Sequence, residues 1–500
     1  MSNKYFLLKP QTVLGLIAGS MIIGSQQSAA EEKKSYTRPP VSSFSSQMSD
    51  ALTGSGKYEK PVWNLHDTLK LPDWLSLSVE QRTRYENMDG RFNAGGKGGD
   101  QQIATQIDVF MEARFNKWRV GGEFLDARQW GSDAGSVLNN THVNTADMLQ
   151  GYIAWADQNA FYSGLGAEVI AGRQTLNIGS RRLVARNAFR NTINAFDGLR
   201  VRVTNYDNWQ VNAFVTMPIN RYPTSAADLL NNVQDFDKAD GHTWFSGVFL
   251  EGFNLVGKMN GELYLYHLDE GDSPTIATRN RRYFTPGLRF FLKPAKGQFD
   301  FQVESIGQFG TVKASTTSNV TWSHTAWYQH LDAGYTFDIP WSPRFSAEYD
   351  YASGDKNPND TKDQRFDSLY GGRRFEYAPT GIYGAFSRGN LNTPGYRLSV
   401  SPLPNVQAGL AHRFYWLAQS RDAWVGSNLQ NKNGTSGDFI GHQLELTTRW
   451  DVNSSLNLET GWTHLFKGEF ARSTLAGTAA SPTPNVQDVD YFFVQSMLRF

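Results

Sequence analysis

Cysteine is absent from the 500 residues, which removes disulfides, thiolate nucleophiles and zinc–thiolate sites together. Charge is also scarce. Asp, Glu, Lys and Arg make up 19% of the chain, where about 25% is usual for soluble domains. Lys plus Arg equals Asp plus Glu at 48 each, so no basic excess draws the chain to nucleic acid. Past residue 30 no apolar run approaches the roughly 18 residues a membrane helix requires, and the mean hydropathy is −0.48. A helical membrane protein is excluded, and only a closed barrel could still cross a bilayer. Large rings, by contrast, are abundant: Phe, Trp and Tyr reach 13%.

The first 30 residues carry Lys4 and Lys9, an apolar stretch from Val13 to Gly24, then Ser28-Ala29-Ala30 ahead of Glu31-Glu32-Lys33-Lys34. Positive start, short apolar centre and small residues before a charged stretch are the marks of a cleavable export signal, 1–30. Losing Lys4 and Lys9 takes the formal net charge from 0 to −2. Residues 31–70 are polar, with Arg38-Pro39-Pro40 and a serine-rich stretch from Ser42 to Ser49, and show no sustained period. They read as a periplasmic leader to a barrel spanning 71–500.

From Trp74 onward the sequence alternates with period 2, the signature of a strand whose two faces meet different surroundings. Leu75, Leu77, Val79, Thr83 and Tyr85 interleave with Ser76, Ser78, Glu80, Arg82, Arg84 and Glu86. Ile107, Val109 and Met111 interleave with Gln106, Asp108 and Glu112, and Phe299, Phe301 and Val303 with Asp300, Gln302 and Glu304. Many such stretches exceed the roughly 5 to 6 residues of a globular strand and match the 9 to 11 or more of a tilted membrane strand. Aromatic residues such as Trp74, Trp118, Trp209 and Trp450 cluster at their ends, as interfacial girdles do. Connectors alternate short (Asn116-Lys117, Tyr206-Asp207) and long (131–145, 218–242, 352–393), as periplasmic turns and outer loops must. The expectation is an all-β, antiparallel transmembrane barrel of about 18 strands, 16 being the alternative once each boundary is allowed about two to four residues. Its place is the outer membrane of a Gram-negative cell, among outer-membrane lipids.

The last strand ends the chain, with Phe492, Val494, Leu498 and Phe500 on one face and Gln495 and Arg499 on the other. A terminal amphipathic strand closing on Phe500 resembles the signal read by the bacterial barrel assembly machinery.

The sharpest charge asymmetry lies between 173 and 202, where Arg173, Arg181, Arg182, Arg186, Arg190, Arg200 and Arg202 stand with one acid, Asp197, and no lysine. Arg200 and Arg202 are two apart and share a face opposite Leu199, Val201 and Val203. With Arg82 and Arg84 these are the candidate pore-lining residues: guanidinium pairs bidentately with carboxylate and phosphate, and rings of arginine select anions. The competing reading is a surface loop binding lipopolysaccharide phosphates, or arginines spent on luminal acids such as Glu80, Glu112, Glu123, Glu304, Glu348 and Glu445.

Gly172-Arg173-Gln174, Gly179-Ser180-Arg181-Arg182-Leu183-Val184, Arg186-Asn187 and Phe196-Asp197-Gly198-Leu199-Arg200 together resemble the alginate export family of outer-membrane porins. Leu71-Pro72-Asp73-Trp74-Leu75, Arg82-Thr83-Arg84-Tyr85-Glu86 and Phe124-Leu125-Asp126-Ala127-Arg128-Gln129 resemble it too. The resemblance implies an 18-stranded monomer with an arginine-rich constriction, passing an acidic polysaccharide outward in concert with periplasmic polymer-synthesis proteins. The alternative cargo is small anionic solutes.

Other signals carry less. Gly54-Ser55-Gly56-Lys57 fails as a phosphate loop because Ala51 and Tyr58 flank it wrongly; no cofactor is expected. Asp355, Asn357 and Asn359 have the odd spacing of a calcium loop, but Asp360 replaces its glycine and Phe366 its bidentate glutamate. A solvated loop fits that spacing with fewer assumptions. An outer-membrane hydrolase is the third reading: G-x-S-x-G is absent, while His412 and His442 fall on a face expected to be apolar.

Overall fold

The computed structural model describes residues 60–96, 98–132, 135–477 and 484–500. The export signal, 1–30, and the leader as far as residue 59 lie outside the described residues. The strands run β1 (Leu75–Asp89), β2 (Asp100–Phe115), β3 (Trp118–Trp130), β4 (Asn144–Asp157), β5 (Gly166–Gln174) and β6 (Phe196–Asn205). They continue with β7 (Trp209–Pro218), β8 (Thr243–Val256), β9 (Met259–Glu270), β10 (Arg282–Leu292), β11 (Gln298–Lys313), β12 (Thr321–Thr336) and β13 (Arg344–Ala352). A two-residue β14 (Lys362–Asp363) precedes β15 (Leu391–Leu403), β16 (Val406–Trp416), β17 (Phe439–Asp451), β18 (Leu456–Lys467) and β19 (Val489–Arg499).

Eighteen of these form one closed antiparallel barrel, each paired with its sequence neighbours, β13 with β15, and β1 with β19. β14 stands apart, running parallel to the outer end of β12 (Ser323↔Lys362). Closure is required because an open edge in lipid would leave backbone groups unpaired at several kcal/mol each. The seam is completed by the last residue: Val79 N donates to the Phe500 carbonyl (3.2 Å) and Phe500 N to that of Val79 (2.9 Å). The Trp63 ring stacks on Phe500 at 6.2 Å and its backbone N–H donates to Ser455 Oγ (2.8 Å), tying the entering chain to the turn between β17 and β18.

Alternation sorts the side chains as their chemistry demands. Ile107, Met111, Val120, Phe124, Ile153, Val215, Leu263, Leu288 and Leu331 are exposed on the outer wall. Arg82, Arg84, Glu86, Glu112, Glu123, Glu304 and Asp350 are buried on the inner one. The lumen also holds an apolar patch in which Phe196, Phe214, Phe245, Tyr266 and Tyr370 pack ring against ring, with Phe245 and Tyr370 centroids 5.0 Å apart. Tyr370 belongs to an outer loop, so something from above fills this space.

Candidate functional site: the loop-lined lumen

The loop from 175 to 195 leaves β5 and turns inward. Gly172 and Gly198 stand opposite each other where it departs and returns, with φ of +122° and +156°. A Cβ at either would meet a backbone oxygen of the neighbouring strand, Gly151 O at 2.4 Å or Val215 O at 2.3 Å, so only glycine fits both conformation and space.

The barrel wall holds this loop by its arginine-rich stretch. Arg82 donates to the carbonyls of Ala188 (2.8 Å) and Arg190 (3.0 Å) and to Asn191 Oδ1 (3.0 Å), and Arg84 to that of Phe189 (2.7 Å). From the loop's side, Arg186 binds Asp108 Oδ2 at 2.9 Å and both oxygens of Glu123, while Arg182 pairs with Glu304 and, through Nε at 2.8 Å, with Glu376. Burial alone would lower both guanidinium groups; the charges of Glu304 beside Arg182 and Glu123 beside Arg186 reverse the sign, holding each above its ordinary value.

A second loop, 353–390, meets the first from the other side. Tyr370 N donates to the Leu183 carbonyl (3.0 Å) and Ala185 N to that of Tyr370 (3.1 Å), and Arg388 Nη1 to that of Arg182 (3.2 Å). Its far end is fixed by Arg374 on Glu445 (2.9 Å), by Tyr383 OH on Gln443 Oε1 (2.6 Å), and by Phe386 stacked on Tyr415 at 3.5 Å. The two loops thus lie hydrogen-bonded to each other inside the barrel.

Among the sequence-derived candidates, Arg82 and Arg84 serve the loop backbone, and Arg182 and Arg186 are fully ion-paired. Arg181 lies over the Phe375 ring at 5.1 Å. Arg200 and Arg202 face the lumen as expected and share one carboxylate, Glu168, at 3.0 and 3.6 Å. Arg119 binds the same carboxylate and lies 3.9 Å from Glu112, which Arg114 also holds at 2.8 Å. Four guanidinium groups there meet two carboxylates. Arg173 corrects the expectation: it pairs in register with Gly151 and Asp197, on the face of Leu199, which is the outer wall. It binds Asp197 at 2.9 Å there and does not line the pore. Arg190, in the same loop, has its Nη2 donating to Asn194 Oδ1 (2.7 Å) and no carboxylate in ion-pair contact among the described residues. Sequence reasoning missed Arg119, Arg374, Arg388 and Arg413; their alternation on the polar face was the available signal for the two in strands.

The Asp355, Asn357 and Asn359 oxygens do not converge as a calcium loop would. Asp355 Oδ1 accepts from Asn357 N and Asn357 Oδ1 from Asn359 N, both at 3.3 Å, which is turn chemistry. His412 and His442 stand on the outer wall, 3.0 Å from each other, with Tyr396 OH 3.0 Å from the first.

Among solved structures, the fold is similar to the outer membrane protein OprD of Pseudomonas aeruginosa (TM-score 0.54, 10% identity, 86% of this chain and 94% of that one). It is likewise similar to OpdK of the same organism, solved with vanillate (0.54, 10%, 85% and 98%), and to OccAB1 of Acinetobacter baumannii (0.54, 12%, 86% and 97%). At these identities the likeness is one of fold. No curated protein matches the sequence. The alginate export family model matches residues 73–481. A closed 18-stranded barrel with a greasy outer wall, matched over that span, belongs to the Gram-negative outer membrane, and this chain is a member of the alginate export family.

Proposed function

We propose that the protein is a passive, anion-selective outer-membrane channel whose cargo is an acidic polysaccharide of the alginate type. The observation that carries this reading is a cluster on the luminal faces of β2, β3, β5 and β6, where Arg114, Arg119, Arg200 and Arg202 gather about Glu112 and Glu168. A uronate carboxylate can exchange water for such a group bidentately, and because each arginine already leans on a glutamate, every hold is weak enough to release. Residues 1–30 serve as export signal, 31–70 as periplasmic leader, and Phe500 as the assembly signal.

Planar bilayers test it. Reversal potentials in a salt gradient should show anion preference, oligouronates should block the current, and Arg200→Gln with Arg202→Gln should weaken both. A cation-selective pore ends the reading. A second cargo class, small carboxylates, is favoured by the two loops packed into the lumen, which narrow the path a polymer would thread. Liposome flux of acetate or benzoate against defined oligouronates separates the two.

A further inference from the structure

Most buried guanidinium groups in this lumen contact a carboxylate, Arg182, Arg186, Arg388 and Arg413 among them. Three partly buried arginines on three loops contact none among the described residues: Arg190 and Arg221 share one partner, and the charge of Arg373 acts on Arg190. Arg190 comes from the 175–195 loop, Arg221 from the loop between β7 and β8, and Arg373 from the 353–390 loop. Asn194 joins the first two. Its Oδ1 accepts from Arg190 Nη2 (2.7 Å) and Arg221 Nη1 (2.6 Å), and its Nδ2 is committed to the carbonyls of Ala185 (2.9 Å) and Tyr370 (3.1 Å), so the amide cannot turn. Arg373 Nη1 donates to the Phe386 carbonyl (3.2 Å). Among the described residues no carboxylate is in ion-pair contact with any of the three, and Nε of Arg190 and of Arg221 is buried without a hydrogen-bond partner.

The electrostatics agree. Burial lowers all three guanidinium groups, Arg373 to about 10, and Arg190 is lowered further by the charges of Arg221 and Arg373. Guanidinium does not give up its proton at physiological pH, so the lowering expresses the cost of holding these charges away from water, to which neighbouring guanidinium groups add at Arg190 and, through Arg388, at Arg373. The one carboxylate that Arg221 feels, Asp237, is itself pushed up to about 7 by burial and cannot fully offset them.

We propose that Arg190, Arg221 and Arg373, with Asn194 as the fixed spacer between the first two, form an oxyanion site that clasps three outer loops together. The ligand class is a carboxylate or phosphate group, whose oxygens can accept from two forks at once. Its occupancy holds the loops inward; its loss leaves three positive charges to push them apart. Should the oxyanion be a uronate of the cargo, the site rests on the transport reading above; a free phosphate does not need it.

The test uses the full-length protein in detergent and in nanodiscs. Limited proteolysis of the loops 219–242 and 353–390 is followed in chloride, then at equal ionic strength in phosphate and in oligouronate. An oxyanion at ten times its dissociation constant should slow cleavage about tenfold, since it lowers the open population by that ratio. Response to phosphate assigns a free anion, and response to oligouronate alone assigns the cargo. Arg190→Gln, Arg221→Gln and Arg373→Gln combined should be protected already in chloride and indifferent to either anion. If the combined variant does not fold, Arg373→Gln alone should lower oxyanion affinity. Equal cleavage of the native protein in all three salts, or a combined variant responding like the native one, overturns the clasp. Anion-dependent protection in a cation-selective channel would leave the clasp standing and end the transport reading; selectivity without protection does the reverse.

Discussion

Arg186 is the strongest fastening of the inward loop, and its removal gives a quantitative expectation. The side chain is 2% exposed, between Asp108 at 8% and Glu123 at 1%, and its Nη1 also donates to Thr175 Oγ1 at 3.1 Å. Arg186→Met keeps length and apolar volume but leaves two carboxylates facing each other without a cation. Breaking a buried pair from one side costs about 3–5 kcal/mol. At the lower figure, the ratio of docked to released loop falls about 150-fold, at 1.36 kcal/mol per factor of ten. Single-channel recording in planar bilayers should then show larger, noisier conductance, and protease should cut within 175–195 while the barrel stays intact. Adding Asp108→Asn and Glu123→Gln removes the stranded charges and should restore much of the native conductance. Native conductance and native protease resistance in Arg186→Met would refute the idea that this ion cluster docks the loop.

Two further outcomes follow from loop and terminus. Asp237 accepts from Tyr222 N and Asn144 Nδ2, both at 2.8 Å, in a buried setting that raises its carboxyl to about 7. A carboxyl whose folded value exceeds its ordinary 3.8 binds extra protons when folded, so the packing it supports is strongest below pH 4, weakens up to about pH 7 and is flat above. Hydrogen exchange around 236–240 should speed up across that window, and Asp237→Asn should flatten the profile; a pH-independent native protein would contradict the burial argument. Trp63→Ala removes the ring stacked on Phe500 and should cost about 1 kcal/mol at the seam. Heat-modifiability on gels should shift to slightly lower temperature, and an unchanged transition would mean the stack contributes nothing.

Strand positions were legible because the bilayer imposes a single period on every segment. β3 over Trp118–Trp130 and β10 over Arg282–Leu292 fall where alternation alone puts them, and 18 strands rather than 16 close the barrel. Arg200 and Arg202 were placed on the lumen by the same parity. Arg173 was not, because it was grouped by composition with its basic neighbours, whereas its register beside Gly151 fixes the opposite face. Arg221 and Arg373 left no local trace: each is one basic residue in a polar loop, and they become neighbours of Arg190 only when three connections separated by up to 183 residues turn inward. The pairing of loop arginines with strand acids such as Glu304 and Glu123 follows from tertiary geometry that no spacing encodes.

The moorings of the inner loop sit on β1, β2, β3 and β11 at Arg82, Asp108, Glu123 and Glu304. Because side chains on a strand change sides with each residue, sliding any of these by one position would throw its mooring into lipid. A mis-registered wall would lose the anchorage of the inner loop, so the docking of the loop and the register of the sheet stand or fall together.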